Sequence, residues 1–314
     1  MSLKVFITGA TGFVGCYLIE LLDSPEYAIY GTSFPEKSEA ENIFFMDVRS
    51  EEEIFGVIKE NKPGWVFHLA AVSNVIHSWE KRRETLEINI VGTFNLFEAI
   101  RKFAPLARVL FVSSSDVYGV SSATGGALCE EEPTQTVNPY AYTKLCGEIL
   151  SRFYSQIENM DIVIARSFPH TGPGQSPDFV CSDWASQIAR IEKGLAEPVI
   201  KVGNISVQRD FLDVRDVVKA YALLMEKGKT GEVYNVCSGK SVLLKEILNI
   251  LLSFSSKAIE IQVDSQKLRK SDISLLFGDN RKIKQELSWK PEIPLKQSLF
   301  DLLEYWRGKV KSEE

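Results

Sequence analysis

Two tyrosines and a lysine lie close together in the segment NPYAYTK, residues 138–144. Positions four apart share one face of a helix, so Tyr140 and Lys144 can point the same way, whereas Tyr142 faces elsewhere and is expected to pack. A nearby ammonium favours the phenolate and lowers a tyrosine pKa from its ordinary value of about 10. With a serine hydroxyl from the Ser-rich segment 113–119, the pair indicates general acid–base chemistry at a substrate carbonyl.

A glycine-rich loop, ITGATGFVG, occupies residues 7–15 and places glycines at positions 9, 12 and 15. It follows an apolar strand pattern and opens a helical one. Glycines here permit a tight turn and a close approach of the backbone to a pyrophosphate, which the helix N-terminus binds with its free N–H groups. The loop is therefore predicted to bind a dinucleotide, and a Gly-rich turn without a ligand is the alternative.

These motifs need a framework, and the first half of the chain alternates short apolar runs with amphipathic helical patterns. Strands are predicted at residues 4–8, 27–31, 43–47, 65–70, 108–114, 161–167 and 232–239. Helices are predicted at residues 16–22, 52–60, 92–103, 142–157, 182–194, 213–228 and 245–256, with one more at the C-terminal end. Buried strands separated by helices are typical of a parallel sheet, so the predicted fold class is α/β, a Rossmann-type doubly wound sheet.

The pattern changes after Arg166. Segment 168–179 is rich in Pro and Gly and is predicted to be loop throughout. We expect a dinucleotide-binding Rossmann domain at residues 1–166 plus about 207–240. A smaller, mostly C-terminal α/β domain for the substrate is expected at about 167–206 plus 241–314.

The end of the second predicted strand bears on the choice of cofactor. A nicotinamide cofactor without a 2′-phosphate usually meets an acidic residue there. This chain has Thr32 and Ser33 instead, with Lys37 near enough in sequence to reach a 2′-phosphate. The prediction is NADP(H) rather than NAD(H). Asp47, at the end of the third strand, either accepts a hydrogen bond from the adenine amino group or is a solvated turn residue.

The composition limits other functions. The chain has 314 residues and a formal net charge of −6, which argues against nucleic acid or an anionic membrane as the main partner. No apolar run of about 20 residues and no signal-peptide layout are present, so no membrane span is expected. Five widely spaced cysteines and three histidines without ligand spacing predict reduced thiols in the cytoplasm and no metal site.

Eight motifs along the chain form a recognisable set: TGATGFVG, HLAA (68–71), NIVGT (89–93), SSSDVYG, PYAYTK, GPGQ (172–175), RDFLDVRD (209–216) and YNVCSG (234–239). With them, the whole chain resembles the extended short-chain dehydrogenases/reductases of the nucleotide-sugar-modifying group. The resemblance implies that Tyr140 donates or accepts a proton, that Lys144 holds the nicotinamide ribose and tunes Tyr140, and that Ser114 is the catalytic serine. It also implies a set of further cofactor-binding residues: Gly9, Thr11, Gly12, Phe13, Val14, Gly15, Thr32, Ser33, Asp47, Val48, Leu69, Ala70, Ala71 and Asn89.

Within that group, segments 67–79, 172–180, 197–204 and 207–216 are similar to enzymes that reduce a keto sugar. The similarity implies reduction of the C4 keto group of GDP-4-keto-6-deoxy-D-mannose to a GDP-6-deoxyhexose of the GDP-D-rhamnose type. GDP-mannose 4,6-dehydration and 4-epimerisation of another nucleotide sugar remain alternatives, and a non-catalytic nucleotide sensor is a remote one. Asp116 would be the acid–base carboxylate of a dehydratase, but reductases also carry an acid there, so it does not decide.

The resemblance implies a substrate-binding set as well. Arg209 and Arg269 would clamp the diphosphate, because the planar guanidinium binds phosphate oxygens in pairs. Asp183 would either accept from guanine N1 and N2 or lie on a solvated helix face. His170 follows Pro169, which stands where relatives have asparagine, and it is either a substitute contact or a packed loop residue. The full set is Ser73, Ser114, Ser115, His170, Val180, Asp183, Lys201, Arg209, Arg269 and Asp272.

Two of the predicted helices, at residues 92–103 and 142–157, resemble those that form a dimeric four-helix bundle in this group. The resemblance therefore implies a homodimer that acts on a GDP-sugar.

Overall fold

A computed structural model describes residues 2–268 and 273–311, with side chains left undescribed at 121–124. The described residues form strands that are numbered here in chain order. They are β1 Leu3–Thr8, β2 Tyr27–Ser33, β3 Ile43–Phe45, β4 Trp65–His68, β5 Arg108–Ser114, β6 Asp161–Ser167, β7 His170–Thr171, β8 Val199–Val202, β9 Gln208–Arg209, β10 Leu212–Asp213, β11 Val233–Val236, β12 Val242–Leu243, β13 Glu260–Val263 and β14 Leu275–Leu276.

The helices alternate with the strands in the first half of the chain and dominate the second. They are α1 Phe13–Leu22, α2 Glu51–Asn61, α3 Val75–Glu80, α4 Arg82–Leu86, α5 Gly92–Phe103, α6 Pro139–Gln156, α7 Val180–Glu192, α8 Val214–Lys227, α9 Leu244–Ser253, α10 Arg281–Leu287 and α11 Leu295–Lys311. A π-helical turn, Glu87–Val91, joins α4 to α5. Within the described ranges, no helix combines the length and apolar character needed to cross a lipid bilayer.

Seven strands form one sheet in the order β11–β6–β5–β4–β1–β2–β3, and every neighbouring pair is parallel. Alternate residues of a strand point to opposite faces. In β1, Val5 and Ile7 pack toward one face with residues of α1 and α8, and Phe6 packs toward the other with residues of α2 and α5. Both faces are therefore covered by helices, which confirms the doubly wound α/β sheet predicted from the apolar runs.

A third apolar core lies outside this sheet. It joins Trp184 and Ile188 of α7 to Ile200 of β8, Leu248 of α9 and Leu302 of α11. Three small sheets accompany it, with the orders β10–β7, β12–β9–β14 and β13–β8. These elements come from the second half of the chain, which also supplies β6, α8 and β11 to the main sheet and its core. The division into two domains at the boundaries given above stays a prediction.

The predicted elements agree with the structure at all seven strands of the main sheet, with ends that differ by a few residues. One prediction was wrong. Segment 168–179 is not loop throughout, because His170 and Thr171 form β7, which pairs with Leu212 and Asp213. A two-residue strand carries too little local pattern to be seen in a sequence, and only its partner more than 40 residues away defines it.

Candidate active site

Helix α6 carries the Tyr140–Lys144 pair, and its first turn is fixed on both sides. Asn138 is the N-cap and accepts the Ala141 N–H at 2.8 Å, while Pro139 occupies the first helical position. Both residues favour a helix start at this point. The Tyr140 N–H donates to Ser78 Oγ of α3 at 3.2 Å. The local sequence therefore places Tyr140 in the first turn of α6, and the bond to Ser78 anchors this turn to α3.

Ser114 ends β5 beside Tyr140, close enough for its hydroxyl to affect the pKa of the phenol. Burial raises the pKa of Tyr140 well above its ordinary value, the Asp116 carboxylate raises it further, and the Ser114 hydroxyl lowers it. The net shift is upward, so the prediction that the pKa of Tyr140 is lowered from its ordinary value was wrong. The phenol is therefore protonated at neutral pH and suited to donate a proton.

Lys144 is buried one turn further along α6, and its Nζ donates to the Val112 carbonyl of β5 at 2.8 Å. Burial lowers the pKa of Lys144 from 10.5 to about 8. The bond to Val112 holds the ammonium against the sheet. Tyr142, expected to pack, is 53% exposed instead, because the face of α6 opposite the site is uncovered in the single chain.

Asn89 is buried in the π-helical turn and ties three parts of the site together. Its Oδ1 accepts the Val72 N–H at 2.8 Å, and its Nδ2 donates to the Val72 carbonyl at 3.1 Å and to Thr143 Oγ1 at 2.9 Å. Thr143 in turn donates to the Tyr140 carbonyl at 2.7 Å. Asn89 thus joins the segment after β4 to the helix that carries Tyr140.

A buried chain of hydroxyl and imidazole groups, which the sequence did not single out, crosses the same edge of the sheet. Thr8 Oγ1 accepts from the Leu69 and Ala70 N–H groups and lies 2.8 Å from His68 Nδ1, so it donates to that nitrogen. His68 Nε2 lies 2.9 Å from Thr93 Oγ1. Burial, aided by Lys144, lowers the pKa of His68 to about 3, so the imidazole is neutral. This chain fixes the backbone after β4, where Leu69, Ala70 and Ala71 were predicted to line the cofactor.

The glycine loop has the shape that a pyrophosphate requires. Gly9 has φ 69°, a conformation that side chains rarely adopt. A Cβ at Gly15 would lie 2.5 Å from the Ala10 carbonyl oxygen, so the first turn of α1 sits directly on the loop. In this fully described segment, no side chain caps α1 and its first turn holds no acidic residue, so the helix N-terminus is open to an anion. The loop residues thus fit a dinucleotide.

Side chains at the end of β2 support that loop. Thr32 Oγ1 accepts the Gly9 N–H at 3.1 Å, and Ser33 Oγ accepts the Ser38 N–H at 3.3 Å. Lys37 is exposed nearby. Hydroxyls and a cation, rather than a carboxylate, therefore border this edge of the sheet.

Asp47 lies just past β3 and is paired with Arg49. The two side chains form a hydrogen-bonded ion pair at 2.5 Å, and Arg49 also lies 5.7 Å from the centre of the Phe34 ring. Burial raises the pKa of Asp47, but the bonds to Arg49 outweigh it and hold the pKa below its ordinary value. Asp47 is therefore not the solvated residue of the alternative interpretation, and Arg49 adds a cation that the sequence did not single out.

Asp116 is the acid nearest to Ser114 and to the start of α6 among the predicted site residues. Asp116 accepts from Asn138 Nδ2 at 3.3 Å, and its N–H donates to Ser114 Oγ at 3.2 Å. Asp116 thus connects the serine of β5 to the N-cap of α6. Ser115, its neighbour, is buried at 1% exposure, and its hydroxyl has no hydrogen-bond partner among the described residues.

Two of the residues predicted to bind substrate, Asp183 and Lys201, lie on α7 and β8, outside the main sheet. Asp183 of α7 pairs with Lys267 at 2.5 Å and accepts from Gln187 at 3.0 Å. Lys201 takes part through its backbone, since its carbonyl accepts from Lys267 at 3.3 Å. Asp183 is therefore neither a free acceptor for guanine nor a fully solvated side chain, because tertiary structure supplies Lys267 as its partner.

The predicted diphosphate clamp is described only in part. Arg209 of β9 donates from Nη1 to the Ile273 carbonyl at 2.6 Å and to the Gln208 carbonyl at 2.8 Å. Asp210, the next residue, is fully buried and accepts the N–H groups of Ser238 and Gly239, which fixes the backbone beside Arg209. Arg269 and Asp272 lie outside the described residues.

The remaining predicted residues border the glycine loop or the surface. His170 stacks on Phe13 with ring centres 6.1 Å apart, and its Nδ1 donates to the Phe168 carbonyl at 3.0 Å. Burial lowers the pKa of His170. His170 is thus packed between the β6–α7 connection and the cofactor loop. Ser73 is exposed after β4, and Val180 is half-buried at the start of α7.

Comparison with known proteins places this site in a family. A family model described as GDP-mannose 4,6 dehydratase matches residues 6–301. The chain is 34% identical to the GDP-6-deoxy-D-mannose reductase of Pseudomonas aeruginosa, and the alignment covers 100% of each chain. The structure of RMD from Pseudomonas aeruginosa complexed with NADPH superposes with a TM-score of 0.88 at 34% identity, covering 98% of this chain and 100% of that one.

A UDP-glucose 4-epimerase of Thermus thermophilus in complex with NAD is also similar, with a TM-score of 0.86 at 26% identity over 98% of this chain and 99% of the other. Relatives thus bind either form of the nicotinamide cofactor, and a nicotinamide cofactor agrees with the glycine loop described above. The family match and the full-length relative show that this chain belongs to the GDP-mannose 4,6-dehydratase family of extended short-chain dehydrogenases/reductases.

Proposed function

We propose that this protein reduces the C4 keto group of GDP-4-keto-6-deoxy-D-mannose and forms a GDP-6-deoxyhexose of the GDP-D-rhamnose type. The observation that carries the proposal is Tyr140, which is half-buried, protonated at neutral pH and adjacent to Ser114 at the carboxyl edge of a dinucleotide-binding sheet. Reduction of a ketone needs a proton donor at the oxygen, and Tyr140 is one. The full-length similarity to a GDP-6-deoxy-D-mannose reductase supports the same reaction.

Each residue of the site has a separate role in the proposed reduction. When bound, the reduced nicotinamide supplies the hydride for C4. Tyr140 donates its phenolic proton to the C4 oxygen as that oxygen gains negative charge, and Ser114 donates a hydrogen bond to the same oxygen. Lys144 uses one of its three donors on the Val112 carbonyl, which leaves donors for the ribose hydroxyls of the cofactor. The N-terminus of α1 and the glycine loop would hold the pyrophosphate.

The proposed cofactor is NADP(H). Thr32 and Ser33 carry no negative charge that would repel a 2′-phosphate. Lys37 and Arg49 provide positive charge nearby. The test compares kcat/KM with NADPH and NADH in the wild type and in Lys37→Met, with Lys59→Met on exposed α2 as the matched control. Loss of the NADPH preference in the first variant alone supports Lys37, and equal use of both cofactors by the wild type contradicts the proposal.

The proposed substrate is a GDP-sugar. Arg209 would bind its diphosphate together with Arg269, and Asp272 would contact the ribose. Asp183 is the proposed reader of guanine, although its pairing with Lys267 requires that the ion pair open or include the base. Ser73, His170, Val180 and Lys201 complete the proposed set.

The second candidate function is GDP-mannose 4,6-dehydration, which the position of Asp116 supports. Asp116 lies beside both Ser114 and the Asn138 cap of α6, so a carboxylate is present where C5 deprotonation would need a base. The family description names this activity too. Asp116→Asn would abolish dehydration but leave most of a reductase's activity.

A homodimer in the cytoplasm is the proposed state. Uncovered apolar side chains on α5 and α6 favour a four-helix bundle, namely Phe94, Tyr142, Ile149 and Phe153, exposed by 46–59%. The chain would then divide into the two domains predicted above. A light-scattering mass of one chain, 35.3 kDa, would contradict the dimer.

The deciding experiment incubates the purified protein with GDP-4-keto-6-deoxymannose and NADPH and follows absorbance and product mass. Oxidation of NADPH with a product about two mass units heavier supports the reductase, because reduction adds two hydrogens. Loss of water from GDP-mannose without net cofactor consumption supports the dehydratase instead. Failure with both substrates contradicts the GDP-sugar assignment.

A further inference from the structure

A fully buried ion pair lies directly behind the catalytic residues. Glu148 and Arg166 are 1% and 2% exposed, and their side chains approach to 2.8 Å. Arg166 Nε donates to Glu148 Oε1 at 2.9 Å and Nη2 donates to Oε2 at 2.8 Å, so the pair is bidentate. Burying two charges costs much of the attraction between them, and such pairs often add little stability. The burial of this ion pair therefore indicates a role other than stabilising the fold.

The pair joins α6 and β5, which carry Tyr140, Lys144 and Ser114, to the neighbouring strand β6. Glu148 is four residues after Lys144 on α6, and so lies on the face that holds Tyr140 and Lys144. Its Oε1 also accepts the hydroxyl of Ser113 at 2.6 Å, and Ser113 precedes Ser114 on β5. Ser113 is the register partner of Arg166 on β6. One carboxylate thus connects the helix of the proton donor to the strand of the serine.

Arg166 is held as firmly as Glu148. Its Nη1 donates to the Glu130 carbonyl at 3.0 Å, and its guanidinium lies 4.8 Å from the centre of the Tyr118 ring. Tyr118 donates to Asn235 of β11 at 2.7 Å. These contacts fix the Arg166 guanidinium independently of α6. The Glu148 carboxylate is bonded to that guanidinium, so it restrains the position of α6.

We propose that Glu148 and Arg166 are positioning residues, which fix α6 against β5 so that Tyr140 and Lys144 keep their distances from Ser114. They do not touch the reacting atoms. Small displacements of a catalytic group can cost about a hundredfold in rate, so a displacement of α6 relative to β5 is expected to reduce kcat. The proposal deepens the function proposed above and rests on it where a sugar is turned over.

The test uses Glu148→Gln combined with Arg166→Met, because either change alone leaves a bare buried charge and endangers folding. We expect a folded protein with a wild-type melting temperature and a kcat lower by about tenfold to a hundredfold. The KM for the sugar should hold, since Arg209 and its neighbours lie elsewhere. The Kd for NADPH should rise, since Lys144 moves with α6.

The chain offers a matched control on the same two strands. Arg108 and Asp161 pair at 2.8 Å at the opposite end of β5 and β6. Arg108→Gln with Asp161→Asn should lower the melting temperature but leave kcat and the NADPH Kd within about twofold of wild type. A merely structural role of Glu148 and Arg166 predicts the same outcome for both double variants.

A milder variant cuts the link and leaves the ion pair in place. Ser113→Ala should lower kcat, and Ser113→Thr, which keeps the hydroxyl, should restore it. Wild-type kcat and NADPH Kd in both Ser113→Ala and the folded Glu148/Arg166 double variant would overturn the proposal. If the wild type reduces no keto sugar, the proposed function fails, and the NADPH Kd of the double variants still decides the positioning role.

Discussion

The carboxyl edge of the main sheet and the surface between α7 and β8 hold their polar side chains in different ways. At the sheet edge, Ser114, Lys144 and Asn89 are all less than 9% exposed, and each is hydrogen-bonded within the protein. Between α7 and β8, Asp183 and Lys267 are half-exposed and satisfy each other. The first region is preorganised for one reaction, while the second must exchange its own contacts to bind a ligand.

The physical difference is desolvation. Groups held in a dry site keep their geometry and shift their pKa, as Lys144 and His68 do. Half-exposed ion pairs are screened by water and are worth about 0–1 kcal/mol, so a ligand can displace them at little cost. Chemistry is therefore expected to be sensitive to single substitutions at the sheet edge, and nucleotide selection to be tolerant of them between α7 and β8.

Removing the proton donor is the severest test of this contrast. Tyr140→Phe should lower kcat by about a thousandfold, because the forming alkoxide loses its acid, while NADPH affinity and melting temperature hold. The measurement is steady-state reduction of the keto sugar. Tyr142→Phe is the matched control, since Tyr142 lies two residues away on the exposed face and should retain full activity. Near-normal turnover by Tyr140→Phe would refute the assignment.

The pH profile probes the buried lysine. With its pKa lowered to about 8, Lys144 keeps the charged form only below that pH. We expect kcat/KM to fall about tenfold per pH unit above about pH 8, and the residual activity of Lys144→Arg to lack this fall. Tyr140 does not account for it, because its pKa is raised. A profile that is flat to pH 10 would contradict the shift.

The same shift has a consequence for stability with a defined sign. Folded Lys144 loses its proton near pH 8 and unfolded Lys144 near 10.5. In this window the unfolded chain binds more protons, so the free energy of unfolding gains a rising contribution with pH. Denaturant unfolding should show this rise in the wild type and not in Lys144→Met.

Asn89→Ala should have a smaller effect, on stability as well as rate. It removes the bonds of Asn89 to both backbone groups of Val72 and to the Thr143 hydroxyl, at a cost of roughly 1–3 kcal/mol. Denaturant unfolding measures this cost, and kcat should fall with it. Asn61→Ala is the control, because Asn61 is also buried but its side chain bonds only within α2. Equal kcat in the two variants would mean that Asn89 has no role in the site.

The smallest effect is expected between α7 and β8. Lys267→Met should change the KM for the GDP-sugar by less than about fivefold, because the half-exposed pair contributes little. Asp183→Asn, at the proposed reader of guanine, should raise this KM more and reduce the preference for GDP over UDP. Equal, small effects in both variants would remove Asp183 from the guanine site.

Motifs with local rules were predictable from the sequence. The Gly-rich turn, the Asn138–Pro139 helix start and the buried strands depend on residues adjacent in the chain, and the structure has each of them. Contacts between distant segments were not predictable. The Asp183–Lys267 pair joins residues 84 positions apart, and the stacking of His170 on Phe13 joins different elements.

By itself, the sequence determined the α/β class, the dinucleotide loop and the identity of the Tyr140–Lys144 pair, since each is written in spacing or periodicity. Only the tertiary structure decided the electrostatics. It desolvated Tyr140 and brought Asp116 near it, which raised the tyrosine pKa instead of lowering it, and it turned the Lys144 ammonium toward Val112. It also placed Glu148 and Arg166 behind the site. Burial and long-range pairing set these properties, and neither is a local property of the chain.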